Sequence, residues 1–138
     1  MSTVLRAELS EKNKYFVDKH RYYELKHFCL QYPTWKKLYS EIDGYSEHLP
    51  DSAYSRIKST SDPTFKYLEK RLEYFYKMEL LEKIALDADP DLASYILKGV
   101  TEGLSYPQLK SRLNIPCSRD MYYDRYRKFF WLLDRTRD

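Results

Sequence analysis

The sequence predicts an all-α fold, a helical bundle with a C-terminal helix-turn-helix. Three observations carry this. In the long segments apolar residues recur at spacings of three and four, the period of a helix with one buried face, and no segment alternates as a half-buried strand does. Fifteen tyrosines stand against three glycines and six prolines, which favours helices with amphipathic aromatic faces, rings inward and hydroxyls outward. Four of the prolines, Pro33, Pro63, Pro90 and Pro107, sit where helices would begin, and there the missing N–H costs nothing. A length of 138 residues fits one domain, or a small domain with an arm. The expected division is an N-terminal helical arm and dimerisation region over 1–61, then a long helix with the helix-turn-helix over 62–138. There is no internal repeat and no low-complexity tract.

Residues 1–12 are polar and read as a loose arm. A first helix is expected from Asn13 to Gln31, with Tyr15, Tyr22, Leu25 and Cys29 on one stripe and Phe16, Tyr23 and Leu30 beside it. So broad a stripe implies several neighbours or a second subunit. The Tyr32–Pro33 step breaks this helix, because a residue before proline is pushed out of the helical region. A second helix then carries Trp35, Leu38, Tyr39 and Ile42 and ends near Gly44. Tyr45 to Ser61 lacks a sustained period and reads as a surface loop, with one helical turn around Ala53 to Ile57 and an internal boundary.

Asp62-Pro63 opens the longest helix, to Ala88. Its stripe is Phe65, Leu68, Leu72 and Phe75, continued by Met78, Leu81, Ile84 and Ala85. Its length suits a dimer spine or a bend near Tyr76. Asp89 caps the next helix, Pro90 fills its first turn, and Leu92, Tyr95, Ile96 and Val100 point inward.

The last third is the centre of the chain. Ser105 caps a short helix with Pro107 in its first turn and Leu109 and Leu113 on one face. Asn114 to Cys117 form a turn, with Ile115 inward and Pro116 unable to continue a helix. Ser118 caps a longer helix whose stripe is Tyr122, Tyr126, Phe129, Phe130 and Leu133. Two helices on so short a turn form a helix-turn-helix candidate, whose second helix would lie in the DNA major groove. From Leu104 onward eight Lys/Arg face four Asp, so this third carries +4 and the remainder −1. Arg119 lies in the first turn of the second helix, where the helix dipole disfavours a cation and a nearby phosphate would reverse the penalty. On this pattern Lys110, Arg112, Arg127 and Lys128 would anchor phosphates. Ser118, Arg119, Tyr123 and Asp124 would reach base edges.

Gly103, Leu104, Ser105, Leu109 and Leu113, followed by Tyr122, Arg125, Tyr126, Phe129 and Leu133, resemble the C-terminal half of phage late-transcription regulators of the ArpU and RinA type. Those in turn resemble region four of sigma factors. The resemblance covers about a quarter of the chain and implies a DNA-binding transcriptional regulator of a phage or prophage. Lys110 departs from it, standing where the family usually has a small residue, and the second helix is unusually aromatic. The resemblance further implies host RNA polymerase as a partner, and the broad apolar face of Asn13 to Gln31 with the overlong Asp62 to Ala88 helix suggests a homodimer, which would span two half-sites.

Other chemistry finds little footing. Cys29 and Cys117 lie far apart, which is neither a disulfide framework nor zinc spacing. His20, His27 and His48 lack metal-ligand spacing, and Glu79 with Glu82 reads as a solvated face among lysines. With only Gly44, Gly99 and Gly103 there is no glycine-rich phosphate loop, and no Ser–His–acid set can be drawn. Neither an enzyme nor a cofactor is therefore expected. Trp131 beside Phe129 and Phe130 reads as core, partner interface or stacking platform. No run approaches membrane-spanning length and the N-terminus lacks a signal-peptide core, so the expected place is the cytoplasm of a bacterial host. A pI near 8.7 suits specific or dimer-assisted binding better than wholesale coating of nucleic acid. The rival is a helical protein-interaction or assembly module, an adaptor or a small terminase-like packaging subunit.

Overall fold

The computed structural model describes residues 13–47 and 63–137, and every segment of regular structure among them is helical. In order these are α1 (Lys19–Leu30), α2 (Tyr32–Glu47), α3 (Pro63–Ala88), α4 (Ala93–Glu102), α5 (Tyr106–Leu113) and α6 (Arg119–Thr136). The expected turn at Ala53 to Ile57 lies outside the described residues.

Two compact units result. One is assembled from both ends of the chain, Met1–Gln31 with Leu81–Asp138; the other is Tyr32–Leu80. The division differs from the expected boundary after Ser61, because α1 packs with the C-terminal helices instead of standing apart as an arm. α3 runs unbroken through the boundary at Leu80–Leu81.

In the first unit α4 is central, packing on α1, α5 and α6, while α1 also meets α6. The core is Leu25, Cys29, Leu81, Ile96, Leu109, Ile115, Tyr122, Phe129, Phe130 and Leu133, all essentially removed from solvent. Burial on this scale is the main source of stability, at roughly 1.5–3 kcal/mol for each large side chain. Phe28 joins this core in place of the more peripheral Tyr23 and Leu30. Two polar groups inside are matched: the Tyr22 and Tyr126 hydroxyls share a buried hydrogen bond of 2.7 Å, and the buried Thr101 donates to the Leu97 carbonyl. Burial pushes the Cys29 thiol well above its usual range, against the opposing charge of Arg137, so it packs as a small apolar side chain.

α1 begins six residues later than its period suggests. Asn13 accepts the Tyr15 N–H at 2.8 Å and Asp18 accepts the His20 N–H at 3.2 Å. Each side chain offers the backbone a local bond that competes with a helix, and only Asp18 does so as a cap. The break before α2 falls at Gln31, one residue ahead of the Tyr32–Pro33 step. α2 continues through Gly44 to Glu47, so 45–47 are helical and not loop. One glycine costs about 1 kcal/mol in a helix interior, a penalty that a helix of 16 residues tolerates.

In the second unit, α2 meets α3 through aromatic and cationic side chains. Arg71 donates to the Tyr39 hydroxyl at 3.0 Å and lies 4.4 Å from the centre of its ring. Lys77 lies 5.5 Å over the buried Trp35. The stripe expected to be buried along α3 is only partly so. Leu72 and Phe75 are exposed, as are Tyr67 and Tyr76, and burial sets in at Met78 and Leu81.

Candidate nucleic-acid interface

α5, the following turn and α6 are shaped by local chemistry at each end. Ser105 and Gln108 form a reciprocal capping box at the start of α5. Asn114 ends it in the left-handed conformation, φ 51°, which asparagine tolerates better than most residues. Its N–H donates to the Lys110 carbonyl at 3.1 Å, and the Ile115 N–H reaches the Leu109 carbonyl. This reversal tucks Ile115 under the end of the helix, an apolar contact common after a left-handed cap. Ile115 therefore takes the inward place that Leu113 was expected to share, and Leu113 is 38% exposed. Ser118 then caps α6 by accepting the Met121 N–H at 3.2 Å.

The turn is braced from three sides. Tyr106 donates its hydroxyl to the Cys117 carbonyl at 2.7 Å, and its own N–H reaches the Tyr123 hydroxyl at 3.2 Å. Lys110 donates to the Ile115 carbonyl at 3.3 Å. Arg125 donates to Asp89 at 2.9 Å and also binds Asp124, fastening α6 to the segment ahead of α4. Burial opposes ionisation of Asp89, but Arg125 and the N–H groups of Leu92 and Asp91 outweigh it and hold the carboxyl below the usual range. Desolvation and the nearby Asp89 charge raise the Cys117 thiol, against Lys110 and Arg125.

The expected contact residues therefore fall into two groups. Arg112 and Arg119 are exposed and form no ion pair among the described residues. Arg119 lies 5.7 Å over the Tyr123 ring. Lys110 is exposed while its ammonium touches the turn, and Ser118 is exposed while its hydroxyl caps α6. Tyr123 and Asp124 are half-buried and engaged within the fold, by Tyr106 and Arg125. Lys128 is half-buried, with no ion pair among the described residues. Arg127, expected to face solvent, is half-buried, and its Nε is buried without an acceptor. An unmet buried donor costs about 1–3 kcal/mol, so Arg127 is partly a packing residue.

Sequence reasoning did not find a further brace, between α1 and α6. Arg21 of α1 binds Asp134 of α6 at 2.7 Å and also reaches Glu24 and the Arg137 carbonyl. Nor did it find the surface where Tyr15 meets Trp131, ring centres 5.6 Å apart, with Arg135 4.4 Å over Trp131 and Lys14 4.9 Å over Tyr15. Contacts between residues more than a hundred positions apart leave no local spacing to read.

Among the described residues no group of His, Cys, Asp and Glu could hold a metal ion, and no helix is long and apolar enough to cross a membrane. Compared with protein-family models, curated proteins and solved structures, the chain matches none.

Proposed function

We propose that the chain binds double-stranded DNA through α5, the turn and α6, acting as a helix-turn-helix in a non-enzymatic transcriptional regulator of the phage type. The supporting observation is Arg119 at the start of α6, exposed and without an ion pair among the described residues, beyond a turn that both capping serines and the left-handed Asn114 hold in place. A cation in that first turn opposes the helix dipole, and a phosphate or base edge would compensate it. Arg112 and Lys110 stand on the adjoining helix as phosphate contacts. Lys128 and the half-buried Arg127 serve the backbone further along α6. Ser118, Tyr123 and Asp124 approach bases only by exchanging their present partners. A homodimer would present two copies of α6 to two half-sites. The protein partner would be host RNA polymerase, in the bacterial cytoplasm. The test is titration of mixed-sequence duplex DNA at several salt concentrations. Affinity should fall steeply as salt rises, since each neutralised phosphate contributes about −0.9 to the log–log slope. An absence of salt-dependent binding removes the proposal.

A second reading rests on α3, where Tyr67, Leu72, Phe75 and Tyr76 are exposed. Exposed apolar patches mark interaction surfaces, which favours a helical assembly module, an adaptor or a packaging subunit.

A further inference from the structure

The outer face of α6 changes character along its length. Arg127, Lys128, Trp131 and Arg135 fall within about a third of the helix circumference, at roughly 100° per residue. Asp124 and Asp134 border the same stretch, and each is ion-paired within the unit, Asp124 with Arg125 and Asp134 with Arg21 at 2.7 Å, each arginine being shared with a second carboxylate. Arg127, Lys128 and Arg135 form no ion pair among the described residues.

Arg135 is also held in place. Its guanidinium lies 4.4 Å from the centre of the Trp131 ring, and Trp131 meets Tyr15, over which Lys14 lies at 4.9 Å. A guanidinium stacked on a ring uses its face and keeps its edge donors for a phosphate. Between Arg127 and Arg135 the large apolar side chains are buried or half-buried.

We propose that Arg135, stacked on Trp131, joins Lys128 in a second row of phosphate contacts on the C-terminal half of α6, separate from the contact at its first turn. The inference rests on the DNA-binding reading above and adds to it a footprint. Arg119 and Arg135 are about 24 Å apart along the axis and about 160° apart around it, so the two rows would meet opposite walls of a groove.

The test compares the parent, Arg119→Ala and the double variant Lys128→Ala/Arg135→Ala in salt titrations on duplex DNA, with circular dichroism as the folding control. Lys128→Gln/Arg135→Gln, which keeps the stems, is the second variant. A parallel arm sediments the parent with vesicles of phosphatidylserine and phosphatidylcholine. Either double variant should fold as the parent does and lower the salt slope by about two. A parental slope in both folded double variants overturns the second row and leaves the first-turn reading standing if Arg119→Ala still weakens binding. A parent that binds no duplex overturns both, and sedimentation with the vesicles would then identify a membrane as the occupant.

Discussion

A Cβ placed on Gly99 would stand 2.1 Å from the Tyr122 hydroxyl, so with Tyr122 in place this approach of α4 to α6 requires a glycine at position 99. Helix propensity alone favours alanine over glycine by about 1 kcal/mol. Overpacking a well-filled core costs about 1–3 kcal/mol, and the fully buried Tyr122 has no room to yield. Gly99→Ala should therefore destabilise the protein in urea denaturation. Adding Tyr122→Phe should recover part of the loss, because the next nearest ring atom lies at 3.4 Å. Equal losses in both backgrounds would show that the close approach is not the cause.

The Arg125–Asp89 pair makes stability depend on acid. The Asp89 carboxyl titrates below its usual value in the folded state, with Arg125 and two backbone N–H groups overcoming the effect of burial. Its contribution is fully present above the unfolded carboxylate pKa of about 3.9 and is lost as pH falls through the lower folded value. Asp89 is not the cap expected of it, since Leu92 stands at the N-cap of α4, but it accepts the Asp91 and Leu92 N–H groups ahead of the helix. Asp89→Asn keeps that acceptor and removes the charge, so it should flatten the loss of stability between neutral and strongly acidic pH. A variant with the parent's full acid dependence would assign that dependence to other groups.

Leu113 and Phe129 should respond oppositely to truncation. Phe129→Ala is expected to cost about 3–5 kcal/mol, since the ring is fully buried. Leu113→Ala should cost about half a kcal/mol or less, the usual range for an exposed site. A large cost at Leu113 would mean that another surface covers it, as in a dimer.

Dimerisation has its own measurement. Light scattering should give twice the chain's 16.8 kDa at micromolar concentration or on DNA. A monomer mass under both conditions would remove the two-half-site arrangement.

Much of the fold was legible because it is local. The α3 limits follow from Pro63 and the Asp89-Pro90 stop, and the α6 stripe of Tyr122, Tyr126, Phe129, Phe130 and Leu133 is buried as its period requires. Ser105 and Ser118 cap as serines before helices do. The α1 start was not legible, because side-chain bonds at Asn13 and Asp18 outcompete the apolar period. Leu113 has the correct spacing from Leu109, but the left-handed Asn114 gives the inward place to Ile115. At the candidate site, the exposure of Arg112 and Arg119 follows from their positions. The engagement of Tyr123 with Tyr106, and the partial burial of Arg127, depend on tertiary contacts that no spacing encodes.

The most direct measurement is the affinity of Arg119→Ala for a duplex site selected from a random pool, against its affinity for random duplex. Arg119 is exposed and makes no ion pair among the described residues, so the variant should keep the parent's circular dichroism and thermal midpoint. If α6 enters the groove, the variant should lose about 1–3 kcal/mol on the selected site and relax its base preference. A folded Arg119→Ala that binds selected and random duplexes as the parent does would show that α6 is not a recognition helix.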